Sequence, residues 1–209
     1  MVEAGKDFDA CSKVVEQISQ SKGYYFVHPA DEPHLINGVG TEFLDILDVL
    51  PDVDAVILPL GAGSEVAAAV TTLKAINPDI AIYAVQAELS CSGYRSWKAG
   101  SIENHPNATF AGGFATGTAY ETTFTLYKDA LTDFVLLSEQ EILQGMALAA
   151  YHTRNVVEAA GSATLMAAWK LREALAGKRV VMQFSGSNAS PQELSQAYAL
   201  PAFTHGEFS

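Results

Sequence analysis

Cysteine is scarce in this chain. Its 209 residues hold two, Cys11 and Cys91, with no C-x-x-C spacing. No disulfide framework is expected, and two reduced thiols in a cytosolic protein is the simplest account. Positive charge is also short: 12 Lys and Arg stand against 24 Asp and Glu, a formal net charge of -12. Such a surface repels nucleic acid and anionic lipid, so neither is an expected partner. A small anion could still be held locally by backbone N–H groups. No apolar run approaches the roughly 18 residues that a spanning helix needs. The opening "MVEAGKDFDA" carries early acids where a secretory signal has its apolar core,. A cytoplasmic location is therefore expected. Two catalytic signatures are missing as well. G-x-x-x-x-G-K-[ST] is absent, which removes a P-loop, and without G-x-S-x-G a hydrolase triad has no starting point,.

What is present is apolar and alternating. Hydrophobic residues make up 49% and charged residues 17%, the balance of one globular domain spanning 1–209. Apolar residues at helical spacing (Phe8, Cys11, Val15, Ile18) predict a helix over 7–22,. "YYFVH" (24–28) predicts a short strand. "TEFLDILDVL" (41–50) predicts a helix with Phe43, Leu44, Ile46, Leu47 and Leu50 inward. "VDAVILPL" (53–60) and "IAIYAVQ" (80–86) are almost wholly apolar, as strands covered on both faces are,. "SEVAAAVTTLKAI" (64–76) predicts a helix with Ser64 as its N-cap,. A strand is expected at 133–138, then a helix whose Ser138 and Glu141 form a capping box,. A helix over 162–176, ended by Gly177, and a strand over 179–185 close the series. The stretch from about 100 to 118 is glycine-rich and reads as loop. Strand and helix thus alternate, which predicts an α/β fold: three layers, a mainly parallel twisted sheet with helices on both faces.

The candidate site lies in "LPLGAGSEVAAA" (58–69), where a strand runs into a helix through small residues. Unpaired N–H groups converge at such a helix start, and the helix dipole adds partial positive charge. Gly61, Ala62, Gly63 and Ser64 therefore suit an anion. A tight turn with no ligand explains the same residues. Gly61-x-Gly63 also resembles the start of a dinucleotide fingerprint, with Glu88 after the next strand as the ribose-binding acid. Val66 stands where the third glycine belongs.

Several stretches together are more specific. "FVHPADEPHLINGVGTEFLDIL", "VDAVILPLGAGSEVAAAVTTLKAINPDIAIYAVQAE", "SWKAG", "VVEAAGSATLMAAW" and "VVMQFSGSN" resemble, in order and spacing, the serine/threonine dehydratase family. These are pyridoxal-phosphate enzymes of the tryptophan-synthase-β-like fold, and the likeness covers roughly residues 7 to 189. The resemblance implies that Gly61, Ala62, Gly63 and Ser64 hold the cofactor phosphate through backbone N–H groups. It implies that Ser185 hydrogen-bonds the pyridine nitrogen and that Glu158 lies near the cofactor ring. A neutral hydroxyl at that nitrogen makes the ring a weaker electron sink, which suits β-elimination. Taken alone, without the resemblance, Ser185 is better explained as a strand-end serine bonded to local backbone. The implied activity is conversion of a hydroxy amino acid such as serine or threonine to a 2-oxo acid and ammonia. The implied assembly is a homo-oligomer, a dimer or tetramer.

The family's catalytic lysine, in a serine-x-lysine motif well upstream of the glycine turn, has no counterpart here. Only Lys6, Lys13 and Lys22 precede the turn, and none has that context. The chain is therefore expected to start where the family's second half starts, after the lysine and most of the small domain, and to be inactive alone, with no catalytic residue of its own. A non-catalytic binding or regulatory protein and a dinucleotide-binding domain are the alternatives. Ser96-Trp97-Lys98 mimics the lysine motif but sits downstream of the turn, where the family has an ordinary helix. Ala62 replaces a glycine of the turn, Glu65 replaces an apolar residue and would oppose a phosphate if it pointed inward, and Gln86, near Ser90 and Ser92, replaces a cation-binding glutamate. No metal is expected. His28 and His34 flank Asp31 and Glu32 in a proline-bearing loop without regular ligand spacing,. His105, His152 and His205 belong to no motif. Met166, Trp169 and Leu171 are expected in the core.

Overall fold

The architecture is set by two buried apolar strands at the centre of a four-stranded sheet, flanked by two less buried edge strands. In the computed structural model, which describes residues 2–5 and 8–207, β1 (Ala55–Pro59), β2 (Ala81–Ala87), β3 (Asp133–Leu137) and β4 (Val180–Met182) form one sheet. Their order is β3-β2-β1-β4, and every pairing is parallel. Parallel neighbours need long crossovers, and helices supply them: α3 (Ser64–Ile76) between β1 and β2, α4 (Ser92–Ala99) and α5 (Glu121–Tyr127) between β2 and β3, and α6 (Glu139–Thr153) and α7 (Ala159–Lys170) between β3 and β4, while α2 (Pro33–Val49) leads into β1. Before and after these lie α1 (Phe8–Lys22), α8 (Pro191–Tyr198) and α9 (Pro201–His205).

Alternate strand residues feed two cores, because side chains change face at every step along a strand. Ala55, Ile57, Tyr83 and Val85 pack under α6 and α7, with α8 and α9 closing that side. Val56, Leu58, Ile82 and Ala84 pack under α2, α3 and α5. The result is the three-layer α/β sandwich that the alternating sequence predicts. The alanine stripe of α3 lets it sit close on the sheet, and Val66 to Val70 are all buried.

Element edges differ from expectation in instructive ways. Residues 24–28 form no strand, and Tyr25 is 74% exposed. The segment has strand-like composition but no neighbour to pair with, and propensity alone does not build a ladder. Helix α2 starts at Pro33, not near 41, because Glu32 caps it through the His34 N–H (3.1 Å) and proline suits the first turn,. Leu44 lies on the outer face of α2 and is exposed, unlike Phe43. Gly63, with φ 93°, is the N-cap of α3, so Ser64 lies one residue inside the helix.

Helix α7 begins at Ala159, after Glu158 as N-cap, and ends at Lys170 in turns up to Gly177. Strand β4 is three residues long and lies at the sheet edge, paired with β1. Trp169 is 41% exposed under the Arg172 guanidinium, not in the core, while Met166 is buried. The stripe of α1 is only half-buried, with Phe8 exposed, since no sheet face lies under it. Residue 7 and Lys6 lie outside the described residues. The capping box of Ser138 and Glu141 forms as expected, and Lys170 pairs with Glu141 at 2.8 Å.

One backbone contact governs the turn after β1. A Cβ at position 61 would overlap the carbonyl oxygen of Gly113, and one at 113 would stand 2.7 Å from the Ala160 Cβ. Position 112 faces open space. Gly61→Ala should lower stability by about 1–3 kcal/mol, the usual cost of overpacking. Gly112→Ala should stay within about 0.5 kcal/mol of the parent in the same urea titration.

Candidate functional site

Strands β1 and β2 run in the same direction, and a cleft of about 890 Å³ opens beyond the end of β1. Open α/β sheets bind ligands at this end of their strands. The turn from Gly61 to Glu65 forms one wall. Asn107, Thr109, Gly113 and Thr116 of the long loop form another, Glu158 and Ser185 a third, and Phe8 and Asp9 of α1 lie at the rim. All six residues singled out for a cofactor, Gly61, Ala62, Gly63, Ser64, Glu158 and Ser185, thus meet in one cleft.

The turn is held from behind. Thr123 donates to the Ala62 carbonyl (2.9 Å) and Thr116 to the Gly61 carbonyl (3.4 Å). Ala62 is not in the left-handed region, so the turn forms without a glycine there. Among the described residues, nothing accepts a hydrogen bond from the N–H groups of Gly61, Ala62, Gly63 or Ser64. These donors stand at the head of a 13-residue helix, where the partial positive charge is greatest,.

Opposite, the Glu158 N–H donates to the Gly186 carbonyl (2.9 Å), which fastens the "SGSN" turn to the start of α7. The carboxyl end of Glu158 lies where a Cβ of residue 186 would be, so glycine there lets the side chain keep this position. Thr164 holds the same segment through the Gln183 carbonyl (2.9 Å). Ser185 is exposed to the cleft, and its hydroxyl has no protein partner among the described residues.

The loop over 100–118 is irregular apart from a short 3-10 turn at Gly112–Phe114. Two anchors order it. Ser90, which is buried, donates to Asn107 (2.5 Å) and accepts from the Ala108 and Thr109 N–H groups. The Glu139 carboxylate accepts from the Thr109 hydroxyl (2.8 Å) and the Phe110 N–H (2.9 Å). Asp9 ties α1 to the loop, accepting from Tyr120 (2.7 Å) and the Gly117 N–H (3.1 Å). Asp9, His105, Asn107, Thr109 and Thr116 were not foreseen as site residues. Their one sequence signal is the Gly112-Gly113 doublet, which marks a close backbone approach.

Other candidates fall elsewhere. Lys98 lies over Trp97 (4.7 Å) and Tyr94 (5.7 Å) on α4 and does not line the cleft. Glu88 is exposed, outside the cleft. His28 Nδ1 accepts from the Ala30 and Asp31 N–H groups, Glu32 caps α2, and Asp31 accepts from the Thr122 N–H (2.9 Å). His28, Asp31 and Glu32 of "HPADEPH" are thus committed to backbone. Gln86 is buried, with its oxygen accepting from the Tyr94 N–H (3.2 Å) and its Nε2 unpaired. Among the described residues, no group of three or more metal-binding side chains comes together, and no helix is long and apolar enough to cross a membrane.

No Lys or Arg among the described residues lines the cleft. Its titratable side chains are Asp9, His105, Glu158 and Glu65. Burial, and then the Glu42 carboxylate, push Glu65 up to about 7, against a hydrogen bond from Gln183 that lowers it. An anion here would meet backbone N–H groups and neutral side chains such as the Ser64 hydroxyl rather than a Lys or Arg side chain.

The family model for pyridoxal-phosphate dependent enzymes matches residues 1–186. The chain belongs to that family. It is 31% identical over 185 residues to the L-threonine ammonia-lyase of Thermotoga maritima, a match that covers 88% of this chain and 46% of that protein. It is 32% identical over 195 residues to the catabolic L-threonine dehydratase of Escherichia coli K12, covering 92% of this chain and 59% of that one. Among solved structures, the processed threonine deaminase isoform 2 of Solanum lycopersicum superimposes with a TM-score of 0.88 at 27% identity, over 96% of this chain and 59% of that one. The serine racemase of Dictyostelium discoideum gives a TM-score of 0.80 at 27% identity, over 90% of this chain and 61% of that one. The chain spans about half the length of the curated relatives it matches.

The donor set of the cleft is compatible with the phosphate-bearing cofactor of the family: its volume suits a small ligand, the N–H groups at its glycine turn are free, and the Ser185 hydroxyl is free, while no lysine among the described residues lines it.

The displaced ionisation of Glu65 has a consequence for folding. Its native value lies above the carboxyl's ordinary 4.5. The native state therefore holds the proton more tightly than the unfolded chain, and this contribution is full below pH 4.5 and lost as pH rises to 7,. Glu65→Gln should match the parent in thermal unfolding at about pH 5. At about pH 8 it should be more stable by about 1–3 kcal/mol.

Proposed function

We propose that this chain is the cofactor-holding part of a pyridoxal-phosphate-dependent ammonia-lyase that acts on a hydroxy amino acid of the serine or threonine kind. The observation that carries the proposal is the meeting, in one cleft, of four free N–H groups at Gly61–Ser64, the free hydroxyl of Ser185 and the carboxylate of Glu158. The family match and the relatives named for threonine support it. The products would be a 2-oxo acid and ammonia.

When bound, the cofactor would supply an electron sink for the substrate's Cα electrons. This chain's residues divide the remaining work. Gly61, Ala62, Gly63 and Ser64 would bind the phosphate. Ser185 would hydrogen-bond the ring nitrogen and, being neutral, would make the ring a weaker electron sink than a carboxylate would, which suits loss of the β-hydroxyl. Glu158, anchored by the SGSN turn, would lie near the ring. The loop from Asn107 to Thr116 covers the cleft and limits water. Removal of the Cα proton falls to a lysine from a segment outside these residues, so the isolated chain is not expected to turn over amino acids.

The 209 residues would then correspond to the family's large domain, with the small domain's main part supplied elsewhere, in a cytoplasmic homo-oligomer. Two unpaired cysteines support that location. The dinucleotide alternative finds no support, because Glu88 does not line the cleft.

Calorimetric titration of the purified chain with pyridoxal phosphate, with NAD and inorganic phosphate as parallel ligands, tests the proposal. Saturable pyridoxal-phosphate binding is expected, with NAD no better than phosphate. Ser185→Ala should weaken the cofactor about 3- to 10-fold, the worth of one hydrogen bond, and leave unfolding of the free chain unchanged. Preference for NAD, or no binding by a folded chain, would overturn it.

A further inference from the structure

Beside the glycine turn, two carboxyl groups share one amide. The Gln183 Nε2 donates to Glu42 Oε1 (2.5 Å), on α2, and also to Glu65 Oε1, in the first turn of α3. Both oxygens lie at hydrogen-bond distance from a single nitrogen, so they stand within about 5 Å of each other. Gln183 is 8% exposed, and its own Oε1 is buried with no donor. It leaves that acceptor unsatisfied while both its N–H groups serve the carboxyls, a costly arrangement in a buried site. Among the described residues no cation pairs with Glu42 or Glu65, since the ion pairs present are Lys170–Glu141 and Arg179–Asp52.

Two carboxylates at this distance do not both ionise readily. Burial and the neighbouring Glu42 carboxylate hold the Glu65 carboxyl above its ordinary range, so it keeps its proton to about pH 7. Glu42 from α2 and Gln183 following β4 are the polar groups against it. Asp9, His105 and Glu158 line other parts of the cleft and form no hydrogen bond with it.

Glu65 also lines the cleft and follows Ser64 directly. An ionised Glu65 would answer the dipole of α3 in place of a ligand, and its charge would repel an arriving anion. A protonated Glu65 does neither. We propose that the Glu65–Glu42 pair, bridged by Gln183, is a proton site coupled to the anion site of the glycine turn, so that binding of a phosphate group takes up one proton. This rests on the reading that the turn holds a phosphate. Coupling is reciprocal: the proton tightens the anion, and the anion raises the affinity for the proton.

The test compares the parent with Glu65→Gln, using pyridoxal phosphate and inorganic sulfate as separate probes at about pH 6 and about pH 8. The ratio of affinities between the two proteins is read for each probe, so ionisation of the ligand cancels. The ratio should be near one at the lower pH and about tenfold in favour of Glu65→Gln at the higher, the effect of one proton. Titration at the higher pH in two buffers of different ionisation heat should show proton uptake by the parent and none by Glu65→Gln. Glu42→Gln, which removes the neighbouring charge, should move the parent's transition to lower pH.

The same ratio at both pH values, with binding intact, overturns the proton coupling and leaves the cofactor reading standing. Failure of both probes to bind either folded protein overturns the cofactor reading and the coupling with it.

Discussion

The site depends on how closely three pieces of backbone approach one another. The turn after β1, the glycine-rich loop and the start of α7 are stacked through Gly61, Gly113 and Ala160, with no room for a side chain at the first two. Tight packing transmits small displacements. An added methyl group at this stack would lift the loop, and with it the wall that carries Asn107, Thr109 and Thr116. On the opposite wall Gly186 leaves space for the carboxyl end of Glu158, a softer contact because that side chain can move. The missing Cβ at position 61 is therefore the stricter requirement, being set against backbone, while the apolar sheet lies beneath the cleft.

The electrostatics follow from the same economy. The chain carries a formal net charge of -12, and no cationic side chain among the described residues lines the cleft. An anion must then be attracted by backbone N–H groups and neutral side-chain donors, over a short range, against a repulsive surface. Such a site discriminates by fit, because only a ligand that reaches the N–H groups gains anything from them. It is also sensitive to any nearby negative charge. That is why the protonation of Glu65 matters here more than it would beside a lysine or arginine.

Much of this was legible in the sequence, and the reasons are specific. Strands β1 and β2 announced themselves as unbroken apolar runs because both of their faces are covered. The turn at 61–64 was readable because Gly61 and Gly63 each answer a local need, a carbonyl contact in one case and a positive φ in the other. The segment 24–28 misled because aromatic and β-branched residues favour strands only where a neighbouring strand exists. The start of α2 was hidden by Gly38 and Gly40, which look like breakers. Gly40 is there because Thr72 of α3 lies against it. The walls from the long loop stayed invisible for another reason. Ser90 and Glu139 reach Asn107, Thr109 and Phe110 across distances in sequence that no local pattern encodes.

The separation of holding from linking is the last consequence. A covalent cofactor bond fixes one atom, whereas the groups in this cleft suit the other end of the molecule, the phosphate and the ring nitrogen. These tasks need different chemistry. Holding requires many weak, rigidly placed donors, which a sheet-mounted turn and a helix start provide. Linking requires one nucleophilic amine of tuned basicity, which does not depend on the sheet's geometry in the same way. A fold can therefore carry the first task whole while the second resides on another segment. In this chain the groups proposed to hold the cofactor stand together in one cleft, and among the described residues no lysine lines it.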